Sequence, residues 1–184
     1  MLLTGGASRR MGSEKAILQV GGVANAVRLG GLLRQVCDPV LEVGPGRSGL
    51  RALNEQPPGQ GPLAAVGAGA LALLRLGHAG PALVLACDLP FVGVAVLRFL
   101  VDWPGTGSVV PLVDERPQPL CARWSTEELA ATQALVDAGE RSMRALLSRP
   151  GVVLAGEGAW PEGVCERDFA DLDTPADLER FGFR

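Results

Sequence analysis

The sequence predicts an α/β fold, with helices on both faces of a mostly parallel sheet. Three observations carry this. Strand-like apolar runs alternate with segments of helical period along the chain. The run PALVLAC at 81–87 is apolar throughout, as in a central parallel strand covered on both faces. No linker or change of composition divides the 184 residues, so 1–184 reads as a single domain.

The elements follow in order. Met1 to Thr4 reads as the stub of a strand that ends at Gly5-Gly6, and a glycine-rich loop runs on to about Glu14. Residues 23–36 read as a helix, because Ala26, Leu29, Leu33 and Val36 recur at spacings of 3, 4 and 3. PVLEV at 39–43 is a short strand. Pro62 starts a helix to about Leu76 that is apolar nearly all round, so it is expected to be buried. After the central strand, Gly93 to Val101 is a second short helix. SVVPLV (108–113) and QPLCARW (118–124) read as strands. Ser125-Thr-Glu-Glu128 is a capping box, in which Ser125 and Glu128 each satisfy the other's backbone N–H. It opens a helix to about Ala138, stopped by Gly139. Ser142 to Arg149 gives a further helical turn or two, and Val152–Leu154 and Phe169–Leu172 are short strands. Thr174-Pro175-Ala176-Asp177 is a helix start, with Thr as cap and Pro at the first helical position.

Composition excludes several functions. The formal net charge of −3 argues against nonspecific binding to a nucleic-acid backbone. With no Tyr, five Phe and three Trp, a base-stacking platform has few aromatics. The N-terminus lacks the pattern of a signal peptide, and the longest apolar run, Pro62 to Leu74, is too short to cross a bilayer. Cys37, Cys87, Cys121 and Cys165 are far apart and form no CxxC pair, which argues against zinc. They read as reduced, mostly buried small hydrophobes of a cytoplasmic protein. His78, the single histidine, follows Gly77 and reads as a helix-end or surface residue.

The chemistry concentrates near the first strand. LLTGGASRRMGSEKA offers small residues whose backbone N–H groups can approach a phosphate, with Arg9, Arg10 and Lys15 adding charge. The segment is neither a Walker loop nor GxGxxG. Lys15 is the only lysine among 17 Lys and Arg residues. A lysine is a compact point charge without the planar fork of arginine, which suits a narrow phosphate site. Asp88 follows the central strand, where open α/β sheets bind ligands. A carboxylate there can hold Mg²⁺ against nucleotide phosphates, or serve as an ordinary turn residue before Pro90.

The pattern L-x-G-G-x-S-x-R-M-G-x-x-K-A resembles the signature of the molybdenum cofactor guanylyltransferase family. GPLAAV at 61–66, CDLP at 87–90, QPLCARW at 118–124 and FADLDTPADL at 169–178 are similar to later family segments, in the expected order. The resemblance implies a Rossmann-like sheet of the nucleotide-diphospho-sugar transferase type. It implies Mg²⁺-dependent transfer of GMP from GTP to the phosphate of molybdopterin, with release of pyrophosphate. Lys15, Arg10 and Asp88 would be catalytic. Leu3, Thr4, Gly5, Gly6, Lys15, Asn54 and Asp88 would bind nucleotide, and Asp88 and Asp173 would bind metal. Asp171 is a weaker metal candidate than Asp173. Molybdoenzyme or chaperone partners are implied as well, and neither nucleic acid nor a membrane.

The chain departs from the family at two places. Thr4 stands where Ala is usual and would add a hydroxyl beside the base. Asn54, or Glu55, stands near a position where the family often has Asp. Cys87 and Cys121 flank motif residues, but nothing supplies a base for a thiol nucleophile, and they read as packing. Three rivals stay open. One is the same chemistry with CTP, which Gly5-Gly6 and GPLA disfavour. Another is a sugar-phosphate or lactyl-phosphate nucleotidyltransferase, although the long motif of the sugar enzymes is absent. The third is a noncatalytic nucleotide-binding paralogue or chaperone, which retention of Lys15 and Asp88 counts against.

Overall fold

The computed structural model describes residues 1–5, 16, 18–172 and 177. Its main sheet runs in the order β10-β7-β9-β6-β1-β4-β5. These strands are β1 (Leu2–Leu3), β4 (Leu41–Val43), β5 (Arg51–Leu53), β6 (Ala82–Ala86), β7 (Ser108–Val113), β9 (Cys121–Trp124) and β10 (Val152–Ala155). All adjacent pairs along this path are parallel except those made by β9, which runs antiparallel to both β6 and β7. The expected mostly parallel sheet is therefore present, with one reversed strand. β8 (Arg116–Pro117) pairs with the end of β7 through a turn at Asp114-Glu115, both at positive φ. A separate two-stranded hairpin, β2 (Gln19–Val20) and β3 (Val23–Ala24), turns at Gly21-Gly22, again at positive φ.

The helices that cover the sheet include α1 (Asn25–Arg34), α2 (Pro62–Arg75), α3 (Val94–Asp102), α4 (Thr126–Asp137) and the single turn α5 (Arg144–Leu147). Alternation along β6 divides the core. Leu83 and Leu85 pack with Leu29, Leu33, Leu97 and Leu100 of α1 and α3. Ala82 and Val84 pack on the opposite face with Leu63, Val66, Leu129 and Leu146 of α2, α4 and α5. Every residue of β6 is buried, as its unbroken apolar run requires. Among the described residues no helix is long and apolar enough to cross a membrane.

Several expectations need correction. The helix expected over 23–36 begins at Asn25, because Val23 and Ala24 pair with Gln19 and Val20 instead. α2 is not buried all round: Leu63, Val66 and Leu73 face the core, whereas Leu71 and Leu74 are exposed. It ends as Gly77 suggests, with Gly77 N–H bonded to Leu74 O and His78 N–H to Leu73 O. The His78 ring lies within hydrogen-bond distance of Pro81 O, 3.0 Å away. Phe169–Leu172 is not a strand. A short 3-10 helix, Glu166–Phe169, takes its place and the chain then continues irregularly. Asp177 is helical, and Thr174 to Ala176 lie outside the described residues. Only half of the capping box forms as expected. Glu128 N–H donates to Ser125 Oγ, but Ser125 N–H donates to Ser108 Oγ, not to Glu128. Ser108 and Ser125 both give their hydroxyls to the Glu128 carboxylate, so a β7 residue completes the cap. Of the four thiols only Cys121 is buried; Cys165 is exposed and Cys37 and Cys87 are half-buried.

Candidate functional site

Strand register sets which residues meet at the carboxyl edge of the sheet. Leu3 lies opposite Ala86 on one side and Val43 on the other. The chain leaving each strand therefore emerges at one level: Thr4-Gly5 from β1, Cys87-Asp88 from β6 and Gly44 from β4. Backbone bonds continue the ladder past the strand ends. Thr4 and Gly5 N–H donate to Val43 O at 3.0 and 3.3 Å, and Cys87 N–H donates to Leu3 O at 3.0 Å. Leu3 and Thr4 are buried and Gly5 is exposed, so Gly5 is where β1 meets solvent. Gly6, Arg10 and Lys15 lie outside the described residues, as does Asp173. Asn54 follows β5 at the same edge, but two strands from β1. It is exposed, and with Glu55 it lines a groove against Ala64, Ala68 and Leu71 of α2.

The Thr4 hydroxyl is turned away from solvent. It donates to Glu42, a carboxylate on β4 with no solvent exposure. Glu42 Oε1 also accepts Gly46 and Arg47 N–H, each at 2.8 Å. Its Oε2 accepts Ser48 N–H at 2.8 Å and the Ser48 hydroxyl. Burial alone would raise the pKa of this carboxyl. The hydroxyls of Ser48 and Thr4 and the N–H groups of Arg47 and Ser48 outweigh it and hold the pKa below the ordinary value. The expected hydroxyl beside a base is therefore corrected: it is committed inside the protein, and the loop 44–48 is wrapped around the same anion. A charged residue inside the apolar strand PVLEV was the available signal, since a buried charge must be compensated.

The turn carrying Asp88 is held from two sides. Asn25 Nδ2 donates to Cys87 O at 2.9 Å, and Arg28 donates to the carbonyls of Leu89, Pro90 and Val92. Leu172 N–H also donates to Asp88 O at 3.0 Å, which brings Asp171 near the same turn. Asp88 is half-buried and Asp171 exposed. Burial, followed by the charges of Asp168 and Asp88, pushes the Cys121 thiol up to about 12. That suppresses any thiolate and supports its reading as a packing residue.

Further acids stand at the same edge. The carboxylate oxygens of Asp114, after β7, and of Glu157, after β10, lie with those of Glu166 within 4.8 Å of one another. A hydrogen bond to Glu157, then the charge of Asp114, raises the pKa of Glu166. These three and Asp168 were missed in sequence because they come from separate segments and belong to no motif. The fit to a divalent cation is good in kind. Asp88 and the adjoining acidic segment supply carboxylate oxygens, the donors that a hard cation such as Mg²⁺ prefers.

The profile described as MobA-like NTP transferase domain matches residues 1–156. A curated relative from Mycobacterium avium, named "Probable molybdenum cofactor guanylyltransferase", is 34% identical over 97% of this chain and 91% of its own length. One of the same name from Chloroflexus aggregans is 30% identical over 97% of this chain and 90% of its own. Among solved structures, molybdopterin-guanine dinucleotide biosynthesis protein A from Archaeoglobus fulgidus superposes with a TM-score of 0.75. It is 25% identical and covers 97% of this chain and 94% of its own. The 2-C-methyl-D-erythritol 4-phosphate cytidylyltransferase from Thermus thermophilus shares the fold, with a TM-score of 0.66 at 20% identity over 97% of this chain and 94% of its own.

Proposed function

Because the chain belongs to the MobA-like NTP transferase family, we propose that this nucleotidyltransferase moves GMP from GTP onto the phosphate of molybdopterin. In this reading one phosphate oxygen of the pterin attacks the α-phosphorus of GTP in line. A new P–O bond forms, the bond to the β-phosphate oxygen breaks, and pyrophosphate leaves. Leu3 to Gly6 line the nucleotide with backbone groups, and Asn54 would contact the base. Lys15 and Arg10 offset charge on the phosphates, and Asp88, with Asp173, would hold Mg²⁺. When bound, that ion supplies positive charge against the triphosphate. Such chemistry is mostly positioning and electrostatics, with no covalent nucleophile. The whole of 1–184 acts as one domain, in the cytoplasm.

The observation that supports this most is the shared edge: Thr4-Gly5 and Asp88 follow strand residues that pair directly. The test is pyrophosphate release on mixing the protein with molybdopterin, Mg²⁺ and one nucleotide at a time. Release with GTP well above CTP, ATP and UTP is expected. Equal turnover with CTP would shift the reading to a cytidylyltransferase. Tight GTP binding with no release would point to a noncatalytic paralogue.

A further inference from the structure

We propose that Arg28, together with Asn25, is a positioning pair that sets the aim of Asp88. The proposal rests on the reading of Asp88 as a metal-holding residue given above. Neither residue belongs to a motif, and both sit on the first turn of α1, which begins at Asn25.

The geometry is that of a clamp. Arg28 spreads its planar fork in three directions. Its Nε donates to Asn25 Oδ1 at 3.0 Å, Nη1 to Val92 O at 2.8 Å, and Nη2 to Pro90 O at 2.7 Å and Leu89 O at 3.3 Å. Asn25 is buried and passes the constraint on, giving its own amide to Cys87 O. Its backbone N–H is tied in turn to Leu18 O at 2.8 Å. The carbonyls of 87, 89, 90 and 92 are thus all bound from α1, and that of Asp88 is bound by Leu172. A cationic guanidinium, half-buried, is spent on neutral oxygens of one short turn. Burial lowers its pKa, the sign of that cost.

A lysine in place of Arg28 keeps the charge but has no fork to span three carbonyls and an amide. The turn would then be free to shift. A displacement of about 1 Å at a group that positions reactants costs roughly 100-fold in rate. Residues that orient metal-holding groups typically change metal affinity or activity by about 10–100-fold when altered.

A second arginine provides the control. Arg123 on β9 is buried and caps the carbonyls of Val101, Trp103, Gly105 and Gly107, ahead of β7 and at the opposite edge of the sheet. Its loss should lower stability without touching Asp88.

The experiment compares wild type, Arg28→Lys, Arg28→Ala, Asn25→Ala, Arg123→Lys and Asp88→Asn. GTP affinity is measured by calorimetry at stepped Mg²⁺ concentrations, alongside kcat, KM and melting temperature. Arg28→Lys and Asn25→Ala should each raise the Mg²⁺ needed for half of the maximal affinity by about 10-fold, in the direction of Asp88→Asn. Their loss should fall on kcat more than on KM. Arg123→Lys should melt earlier with an unchanged Mg²⁺ requirement. If Arg28→Ala does not fold, Arg28→Lys and Asn25→Ala still decide. The clamp is overturned if Asp88→Asn shifts the Mg²⁺ requirement while both of those variants behave like Arg123→Lys. If Asp88→Asn itself leaves the requirement unchanged, the metal reading of Asp88 fails and the clamp's role falls with it.

Discussion

Thr4, the residue after β1, donates a hydrogen bond from its hydroxyl to Glu42 on β4, and both side chains are withdrawn from solvent. This bond ties the first residue past β1 to the loop that follows β4. The same carboxylate also gathers Gly46, Arg47 and Ser48. One buried anion therefore shapes two of the segments at the carboxyl edge.

Thr4→Ala should lower stability and spare nucleotide binding. It removes one charge-assisted donor from Glu42, and hydrogen bonds to charged groups contribute about 1.5–3 kcal/mol. Thr4→Ser should restore most of that, because it keeps the hydroxyl. GTP affinity by calorimetry should stay within about threefold in both, each 1.4 kcal/mol being tenfold. A tenfold loss of GTP affinity in Thr4→Ala would mean that the hydroxyl serves the ligand after all.

Glu42→Gln should destabilise the protein most at neutral pH. A glutamine oxygen can serve the Thr4, Gly46 and Arg47 side, but its NH₂ then faces Ser48 N–H. One buried backbone donor left unpaired costs about 1–3 kcal/mol. The pH dependence follows from the depressed pKa. The unfolded carboxyl titrates near 4.5 and the folded one lower. Its contribution is complete above the unfolded value and is lost as pH falls through the folded one. Urea unfolding at stepped pH should show the gap between wild type and variant constant from pH 7 to about 5 and narrowing below about 4. A gap that stays constant down to pH 3 would contradict this.

Much of the fold was legible because its signals are local. The apolar run of β6, the Ser125 cap and Pro62 at the start of α2 each act within a few residues. What was illegible depends on distant partners. The half of the cap supplied by Ser108 comes from 17 residues away. Arg28 reaches carbonyls 61 to 64 residues downstream, and nothing near it in sequence announces them. At the edge, Leu3 pairs with Ala86, so Thr4-Gly5 and Asp88 leave neighbouring strands, and Leu172 N–H bonds to Asp88 O. The 169–172 strand failed because Phe169, read as a strand residue, is instead the buried end of a 3-10 turn, packed at 5.1 Å from Trp160.

Gly44→Ala should be among the costliest single changes near the edge. Gly44 has φ of +149°, a region that side chains rarely adopt. A Cβ there would run into the Thr4 hydroxyl and lie 2.6 Å from Gly5 N. Either β4 moves from β1 or the Thr4–Glu42 bond breaks. Overpacking of this kind costs about 1–3 kcal/mol. Melting temperature should fall and GTP affinity should fall with it, because the shift propagates into Gly5. A variant as stable as wild type would show that the close approach is not required.

Thiol labelling should separate Cys165, Cys37 and Cys121 by environment. Cys165 is exposed and should react first with an aromatic disulfide reagent at pH 8. Burial raises the Cys37 pKa, so that thiol should lag. Cys121, pushed up to about 12, should stay silent until the protein unfolds. The order is read by mass spectrometry of digests taken over time. Early labelling of Cys121 would mean that the edge around Asp88 and Asp168 opens readily in solution.

Lys15→Arg and Asp88→Asn should each lose turnover while staying folded, but with different responses to Mg²⁺. Lys15→Arg keeps the charge and alters only its shape. A loop fitted to a compact ammonium must move to admit a guanidinium, and a misplacement of about 1 Å can cost ~100-fold in rate. Added Mg²⁺ does not restore that geometry, so the defect should persist at every concentration. Asp88→Asn keeps the size and removes the negative charge that would hold the ion. Mass action can then offset the weaker site, and the defect should shrink as Mg²⁺ is raised. Melting temperatures of both variants should lie close to wild type. For Asp88→Asn this is because Asn25, Arg28 and Leu172 hold the backbone carbonyls of the turn at 87–92 and the substitution keeps the size of the side chain. If Asp88→Asn is fully active at low Mg²⁺, Asp88 is a turn residue only, and the metal must be held by other carboxylates, with Asp173 the first to substitute.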